Sequence, residues 1–416
     1  MGRPLSGVRV LEFTNAVAGP VAGLVLSDLG AEVIKLEPPS RGDPAVVGPL
    51  RPGAPDRPYN RVPLFNELNR GKLSLAVDLA RPGARQLFLR LAAACDIVLQ
   101  NYSPQVLTRL GLEYEHLRAV RPDIIVVSIP AFGSWGPLRE RRAYGPGVDA
   151  MSGLCHLTGY GDGRPFKPGN FFCDYNAGLL AALGAMAALR RRRLSGQGCY
   201  LECALLDSEL PLVADALMDA AMNGRVQGAL GNRHPHMAPH GLYPCLGQDR
   251  WLAIACPDDA AFAALARAMG RPELPEDPRF DTCRARLRHQ EELDAIIAAW
   301  SRTQDGRQAM ERLQREGVPA AVVQDAGDLA ADPQYRHRRY FHPLDHPEMG
   351  PYPVSRLAFR YQRLSALPQG PAPLFSQHAD YVLRELLGLG QQEVEELYRS
   401  GVVVREPRVP QAQGEA

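Results

Sequence analysis

The chain has 416 residues, 45% of them hydrophobic and 22% charged, with a formal net charge of +1. That length accommodates two domains and a sizeable core, and the near-neutral balance gives no electrostatic case for nucleic acid or a membrane as the main partner. No apolar run reaches the roughly 20 residues of a bilayer span, the start Met1-Gly2-Arg3-Pro4-Leu5 lacks a signal-peptide apolar region, and the eight cysteines carry no CxxC pair, as expected of reduced thiols in a cytoplasmic protein.

Val8–Phe13 reads as a strand, followed by a small-residue turn at Ala18-Gly19-Pro20, a helix through Leu24–Leu26 and a second strand at Ala31–Glu37. Strand, helix and strand at this spacing make a parallel βαβ unit. The turn is not GxGxxG, so a nicotinamide cofactor is not indicated. The alternation continues with strands at Ser74–Leu79, Ile97–Asn101 and Ile124–Ile129 and helices at Gly83–Ala94 and Pro104–Leu110. The expectation is a doubly wound, Rossmann-like α/β domain whose ligands bind beyond the carboxyl ends of the strands, at Thr14–Gly19, Pro38–Asp43, Asn101–Tyr102 and Pro130–Gly133.

A Gly/Pro-rich connection (134–170) leads into Gly169–Gly178 and a helix over Ala177–Leu189, whose Leu179, Leu180, Leu183, Met186 and Leu189 recur at helical spacing with alanines between them. Arg190–Arg193 read as a solvated helix end complementing the dipole. Tyr200–Leu205 is a strand and Glu209–Met222 a helix. From Gly231 the pattern changes to a smaller α+β domain, 230–325, with strands at Trp251–Ala255 and Ala320–Val323 and helices at Ala260–Ala268, Leu293–Trp300 and Gly306–Glu316. Residues 326–404, ending in helices at Tyr381–Leu387 and Gln392–Arg399, return to complete the large domain begun by 1–225, and 405–416 form a polar, disordered tail.

Asp174 is the one acidic residue between an apolar run and the small-residue helix. It can cap free backbone N–H groups at the helix start, or serve as a catalytic carboxylate in a closed pocket. The neighbouring Cys173 lies in apolar surroundings that raise a thiol's pKa and make it inert. His234, His236 and His240 form an HxHx3H cluster, but Pro235 and Pro239 prevent a regular helix from presenting them together, and no metal site is expected. No serine lies in a GxSxG elbow. Arg41, Asn69, Lys72, Asn101 and Arg109 lie near strand ends, where Lys and Arg charge with Asn amides would suit a phosphate-bearing ligand.

Several stretches resemble class III CoA-transferases when taken in order. They are Leu5–Phe13, Ala18-Gly19-Pro20, Asp28–Pro38, Asn69-Arg70-Gly71-Lys72, Asp96–Tyr102, Leu107–Gly111, Phe132-Gly133 with Gly136-Pro137, Asp149 with Ser152-Gly153, Asp174 with Asn176 and Gly178, Gly231-Asn232, Asp277–Phe280, and the ending around His378 and Leu386-Leu387-Gly388. The resemblance spans about residues 5–403 and implies that Asp174 is the nucleophile, forming an aspartyl–acyl anhydride and then an aspartyl–CoA thioester. It also implies CoA contacts at Asn69, Lys72, Asn101, Tyr102 and Arg109, coenzyme A or acyl-CoA as substrate with no tightly bound cofactor, a small carboxylic acid as second substrate, and an interlocked ring-like dimer, with a paralogous subunit as the alternative partner. Val17 stands where formyl-CoA transferase places a glutamine, which argues for a less polar pocket; Phe171, Phe172 and Tyr175 are expected to make it apolar. Gly228–Asn232 is a partial counterpart of that enzyme's glycine-rich flap. The related α-methylacyl-CoA racemase uses a histidine in a Gly-His-Asp triplet, and here the triplet is Gly147-Val148-Asp149, which removes one of the two bases that racemisation needs.

Overall fold

The structure is a computed structural model that describes residues 2–39 and 57–407; Arg41 and most of the expected tail lie outside them. Six parallel strands form the main sheet: β1 (Arg9–Phe13), β2 (Glu32–Glu37), β3 (Leu73–Ala76), β4 (Ile97–Gln100), β5 (Ile125–Ser128) and β6 (Cys199–Glu202), in the order β3-β2-β1-β4-β5-β6. Leu11 pairs with Ile34 on one side and Val98 on the other. Strand order reverses between β1 and β4, so the loops after these two strands open a crevice at the carboxyl edge.

Period-two alternation assigns each strand residue to one of two cores. Val10, Val33, Ile97, Leu99 and Val127 pack with the helices Ala18–Asp28 and Phe172–Ser195. Leu11, Ile34, Leu36, Val98 and Val126 face the helix Ala84–Ala93 and the C-terminal residues Ala379, Val382, Leu383, Val394 and Val403. The C-terminal stretch thus completes the large unit, which comprises residues 1–155, 167–225 and 339–416.

The second unit comprises 156–166 and 226–338. It holds an antiparallel sheet of β7 (His240–Pro244), β8 (Trp251–Ala255) and β9 (Ala320–Val322), with a core built from Leu252, Ile254, Phe262, Leu265, Leu293, Ile297 and Leu313. Compared with the expected boundaries, 156–166 and 326–338 fall with this unit. Here the rings of His234, His236 and His240 gather, but His234 Nδ1 accepts from the His236 N–H and His240 Nδ1 lies 2.7 Å from the Asn232 carbonyl.

The helix expected at Ala177–Leu189 runs from Phe172 to Ser195 and stops at Gly196 in a left-handed C-cap. The small residues between the leucines form its buried face. Ala177, Gly178, Ala181, Ala182 and Ala185 are buried while Leu179, Leu180 and Leu183 are exposed. Gly178 shows why: a Cβ there would sit 2.6 Å from the Ala18 carbonyl oxygen and 2.8 Å from the Val21 side chain. Only a small-residue face lets the two helices approach this closely. Half of the apolar window of this helix, long enough by composition to cross a bilayer, is buried inside the protein. At its far end Arg192 pairs with Asp96 at 2.8 Å rather than standing in solvent.

Candidate active site

Asp174 is the third residue of the helix Phe172–Ser195, not its N-cap; that position belongs to Phe171. Phe171 has φ 59° and Ala16, just before the helix Ala18–Asp28, has φ 55°. Left-handed backbone at a bulky residue costs on the order of 1–3 kcal/mol and collects at functional sites. The two strained residues introduce the two helices that meet at Asp174. The Ala18 backbone amide favours the charged form of the Asp174 carboxylate, the thiol of Cys173 lies 3.7 Å from Asp174 Oδ2 and 3.4 Å from the Gly145 carbonyl, and Gly145 opens the helix Gly145–Met151. A Cβ on Gly145 would lie 2.0 Å from Asp174 Oδ2. Three helix starts therefore converge on one carboxylate, and their free N–H groups favour negative charge there.

Asp174 is only 6% exposed. Burial pushes its pKa up to about 6 and nearby Asp149 adds to this, while the Cys173 thiol and the Ala18 N–H pull the other way. Burial also drives the Cys173 thiol far up, reinforced by Asp174 and Asp149, so it remains protonated. A carboxylate that is ionised near neutral pH yet poorly hydrated is a better nucleophile than one in water.

Asp174 lines a cavity of about 470 Å³ at the sheet's reversal point, between the loops after β1, β4 and β5. Asn101 and Asn15 clamp those loops together: the Asn15 N–H donates to Asn101 Oδ1 and Asn101 Nδ2 donates to the Asn15 carbonyl, both at 2.8 Å. Tyr102 stacks on Phe13 at 4.3 Å between ring centroids. Arg109, Arg139, Arg141 and Arg142 bring positive charge to the cavity wall. A second groove of about 520 Å³ follows the ends of β2 and β3, lined by Pro38, Val77, Asp78, Leu79 and Ala80, and shares Tyr102 and Arg109 with the first.

Asn101, Tyr102, Arg109 and Asp174 thus meet at one cavity, but Asn69 and Lys72 do not. Both are buried. Lys72 Nζ lies 2.7 Å from Glu12 Oε2 and donates to the Pro20 carbonyl at 2.9 Å and to Asn69 Oδ1 at 3.0 Å, while Asn69 Nδ2 donates to the Phe65 carbonyl. The reason is Glu12. Burial alone would raise that carboxyl, but Lys35 and Lys72 outweigh it and hold Glu12 below its ordinary value; burial in turn lowers Lys72 to about 7. These two residues support the first turn of the helix Ala18–Asp28 from behind the site. Val17 likewise packs with Val21, Leu68 and Phe171 rather than lining the cavity, and Val148 is fully buried. The sequence reading missed Gly145, Arg139, Arg141, Arg142 and Val77–Ala80; the glycine preceding Pro146 was the one local signal of a helix start.

The model of the family described as CoA-transferase family III matches residues 5–379. The chain belongs to CoA-transferase family III. Among its relatives, the Chloroflexus aurantiacus succinyl-CoA–D-citramalate CoA-transferase is 36% identical over 96% of this chain and 98% of its own. The Homo sapiens succinyl-CoA:glutarate CoA-transferase is 31% identical over 96% of this chain and 90% of its own. A crystal structure of a CaiB/BaiF family protein from Brucella suis superposes with a TM-score of 0.84 at 31% identity, covering 93% of this chain and all of that one. The chain is accordingly a CoA-transferase.

In this transferase, Asp174 gives a stability signature. Its raised pKa means that the penalty of the buried charge is absent below about pH 4, grows as pH rises towards 6 and is complete above it. Asp174→Asn should therefore leave stability unchanged in acid and raise it by on the order of 1–3 kcal/mol at neutral pH, read by denaturant titration at both pH values. A carboxylate serving only the helix dipole would instead give a loss of about 0.5–1 kcal/mol.

Proposed function

We propose that the protein moves CoA from succinyl-CoA, or a similar acyl-CoA, to a small dicarboxylic acid through covalent intermediates on Asp174. The observation that carries this reading is Asp174 itself: nearly buried, at the convergence of helix starts, and opening onto a cavity with arginines in its wall. The carboxylate oxygen attacks the thioester carbonyl carbon, the tetrahedral oxyanion collapses, and the carbon–sulfur bond breaks to release CoA thiolate and leave an aspartyl–acyl anhydride. The thiolate then attacks the aspartyl carbonyl, freeing the donor acid and leaving an aspartyl–CoA thioester. The acceptor carboxylate runs the two steps in reverse and departs as the new thioester.

One thioester replaces another, so the exchange is nearly thermoneutral and needs no ATP. No proton is transferred overall. The Ala18 backbone amide, which favours the charged form of Asp174, is suited to stabilise an oxyanion formed there, and burial keeps water from the anhydride. Asn101, Tyr102 and Arg109 belong to both the reading of the sequence and the wall of the cavity, which supports their role as CoA contacts. The adjoining groove at Val77–Ala80 gives a long nucleotide-bearing ligand room to extend. Arg139, Arg141 and Arg142 suit the free carboxylate of a dicarboxylic acid. This favours dicarboxylates over acids suited to the apolar pocket expected from Phe171, Phe172 and Tyr175, since none of those three lines the cavity.

Activity should rise with pH through about 6 as Asp174 ionises. Hydroxylamine added with succinyl-CoA should inactivate the enzyme by converting Asp174 to its hydroxamate, and Asp174→Ala should lower exchange by at least about a thousandfold; full exchange activity in that variant would refute the reading.

Leu179, Leu180 and Leu183 on the helix Phe172–Ser195, and Leu217, Met218 and Met222 on the helix Ala214–Asn223, are exposed apolar side chains that we assign to contacts with a second copy of the chain. Light scattering should give twice the mass of one chain. A single-chain mass would contradict this, and activity appearing only with a paralogous chain would favour a heteromer, as in the Chloroflexus aurantiacus succinyl-CoA–L-malate CoA-transferase with its alpha and beta subunits.

A further inference from the structure

Next to Asp174 lie two carboxyl groups that the transfer chemistry does not use. Asp149, on the helix Gly145–Met151, and Glu209, at the end of the helix Leu205–Glu209, are both fully buried. One oxygen of each and the Cys173 sulfur lie within 4.8 Å of one another. Among the described residues, none of the four carboxylate oxygens has a hydrogen-bond donor in place. The Ser152 hydroxyl stands beside them but donates to the Asp149 backbone carbonyl at 3.0 Å. The other titratable groups facing the pair are the thiols of Cys155 and Cys173 and the carboxylate of Asp174. Lys167 enters only through the field at Cys155.

Two ionised carboxylates in such a place would each lack a donor and a counter-charge. A single proton resolves both deficits, because a protonated carboxyl donates its O–H to the other's oxygen. We propose that Asp149 and Glu209 share one proton at neutral pH and form a positioning pair that holds one negative charge, not two, beside Asp174.

Burial, followed by the contact with Asp149, pushes the Glu209 carboxyl up to about 7, which agrees with this arrangement. The Cys173 thiol, in contact with Asp174 and within reach of the pair, links the two parts mechanically. The catalytic consequence rests on Asp174 being the reacting carboxylate. One fixed negative charge nearby raises the proton affinity of Asp174, and so its nucleophilicity. Removing the shared proton sets two anions against each other and drives the helix Leu205–Glu209 from the helix Gly145–Met151. Those helices carry Leu205, in the cavity wall, and Gly145, against Asp174. Activity should therefore fall again above about pH 7.

The test combines a pH profile with infrared spectroscopy on the full-length enzyme. Wild-type kcat/KM should be bell-shaped, losing about tenfold one pH unit above its descending limb. Glu209→Gln, whose amide donates permanently in place of the proton, should lose less than about twofold there while keeping the ascending limb. Asp149→Asn should also lack the descending limb and serves as the second variant if the first does not fold. A purely structural role would lower activity equally at every pH. Independently of catalysis, the wild type should show the infrared C=O stretch of a protonated carboxyl that titrates away above neutrality and is missing in Glu209→Gln. Persistence of the descending limb in the variants, absence of that band, or a stoichiometric divalent metal in the purified protein would each overturn the inference. Exchange activity in Asp174→Ala would instead refute the nucleophile while leaving the infrared result standing.

Discussion

The energetic cost of keeping an ionised carboxylate out of water governs this molecule's architecture around Asp174. A buried carboxylate survives only where fixed dipoles replace its hydration shell. Here the replacement is geometric: the Ala18 N–H faces the carboxylate, a glycine lets a second helix start approach it, and the carboxylate sits in the first turn of its own helix. The compensation is incomplete, as the pKa of about 6 shows. That residual instability makes the group reactive: acylation removes the charge and relieves it.

The large unit holds this arrangement through buried polar networks as well as apolar packing. Glu12 pairs with both Lys35 and Lys72 under the helix Ala18–Asp28, with Lys72 bonded to the Pro20 carbonyl in its first turn. A Cβ on Gly23 would lie 1.8 Å from Glu12 Oε2, so that helix can rest directly on the network. Gly178 performs the same service between that helix and the one bearing Asp174. Close backbone approach at a few glycines, more than any large side chain, fixes where the reactive carboxylate stands. If Asp149 and Glu209 hold a single proton between them, the same low-dielectric region also sets the charge that Asp174 experiences.

The strands and most helices were legible because apolar periodicity differs between a two-sided parallel strand and an amphipathic helix; β8 and the helix Pro104–Leu110 match residue for residue. The short helices Pro63–Asn69 and Gly145–Met151 were not, since proline at the start of the first and glycine with proline in the second read locally as loop. Leucine spacing marks the helix Phe172–Ser195 but not its buried face, because packing against the helix Ala18–Asp28 selects for the small side chains between the leucines. Lys72 and Asn69 looked like ligand contacts because they follow a strand-end pattern. Nothing local reveals that Glu12, near the start of the chain, pairs with Lys72, which in turn holds Asn69. Val77–Ala80 carries no charged fingerprint beyond Asp78, so its groove became visible only once β3 was placed.

In the covalent route oxygen passes through Asp174, and isotope transfer tests that directly. After many turnovers with an acceptor acid labelled with oxygen-18 in its carboxylates, the peptide containing Asp174 should carry the label, because the aspartyl–acceptor anhydride leaves one acceptor oxygen on Asp174 when CoA departs with the acyl group. An unlabelled Asp174 peptide under the same turnover would contradict the covalent route.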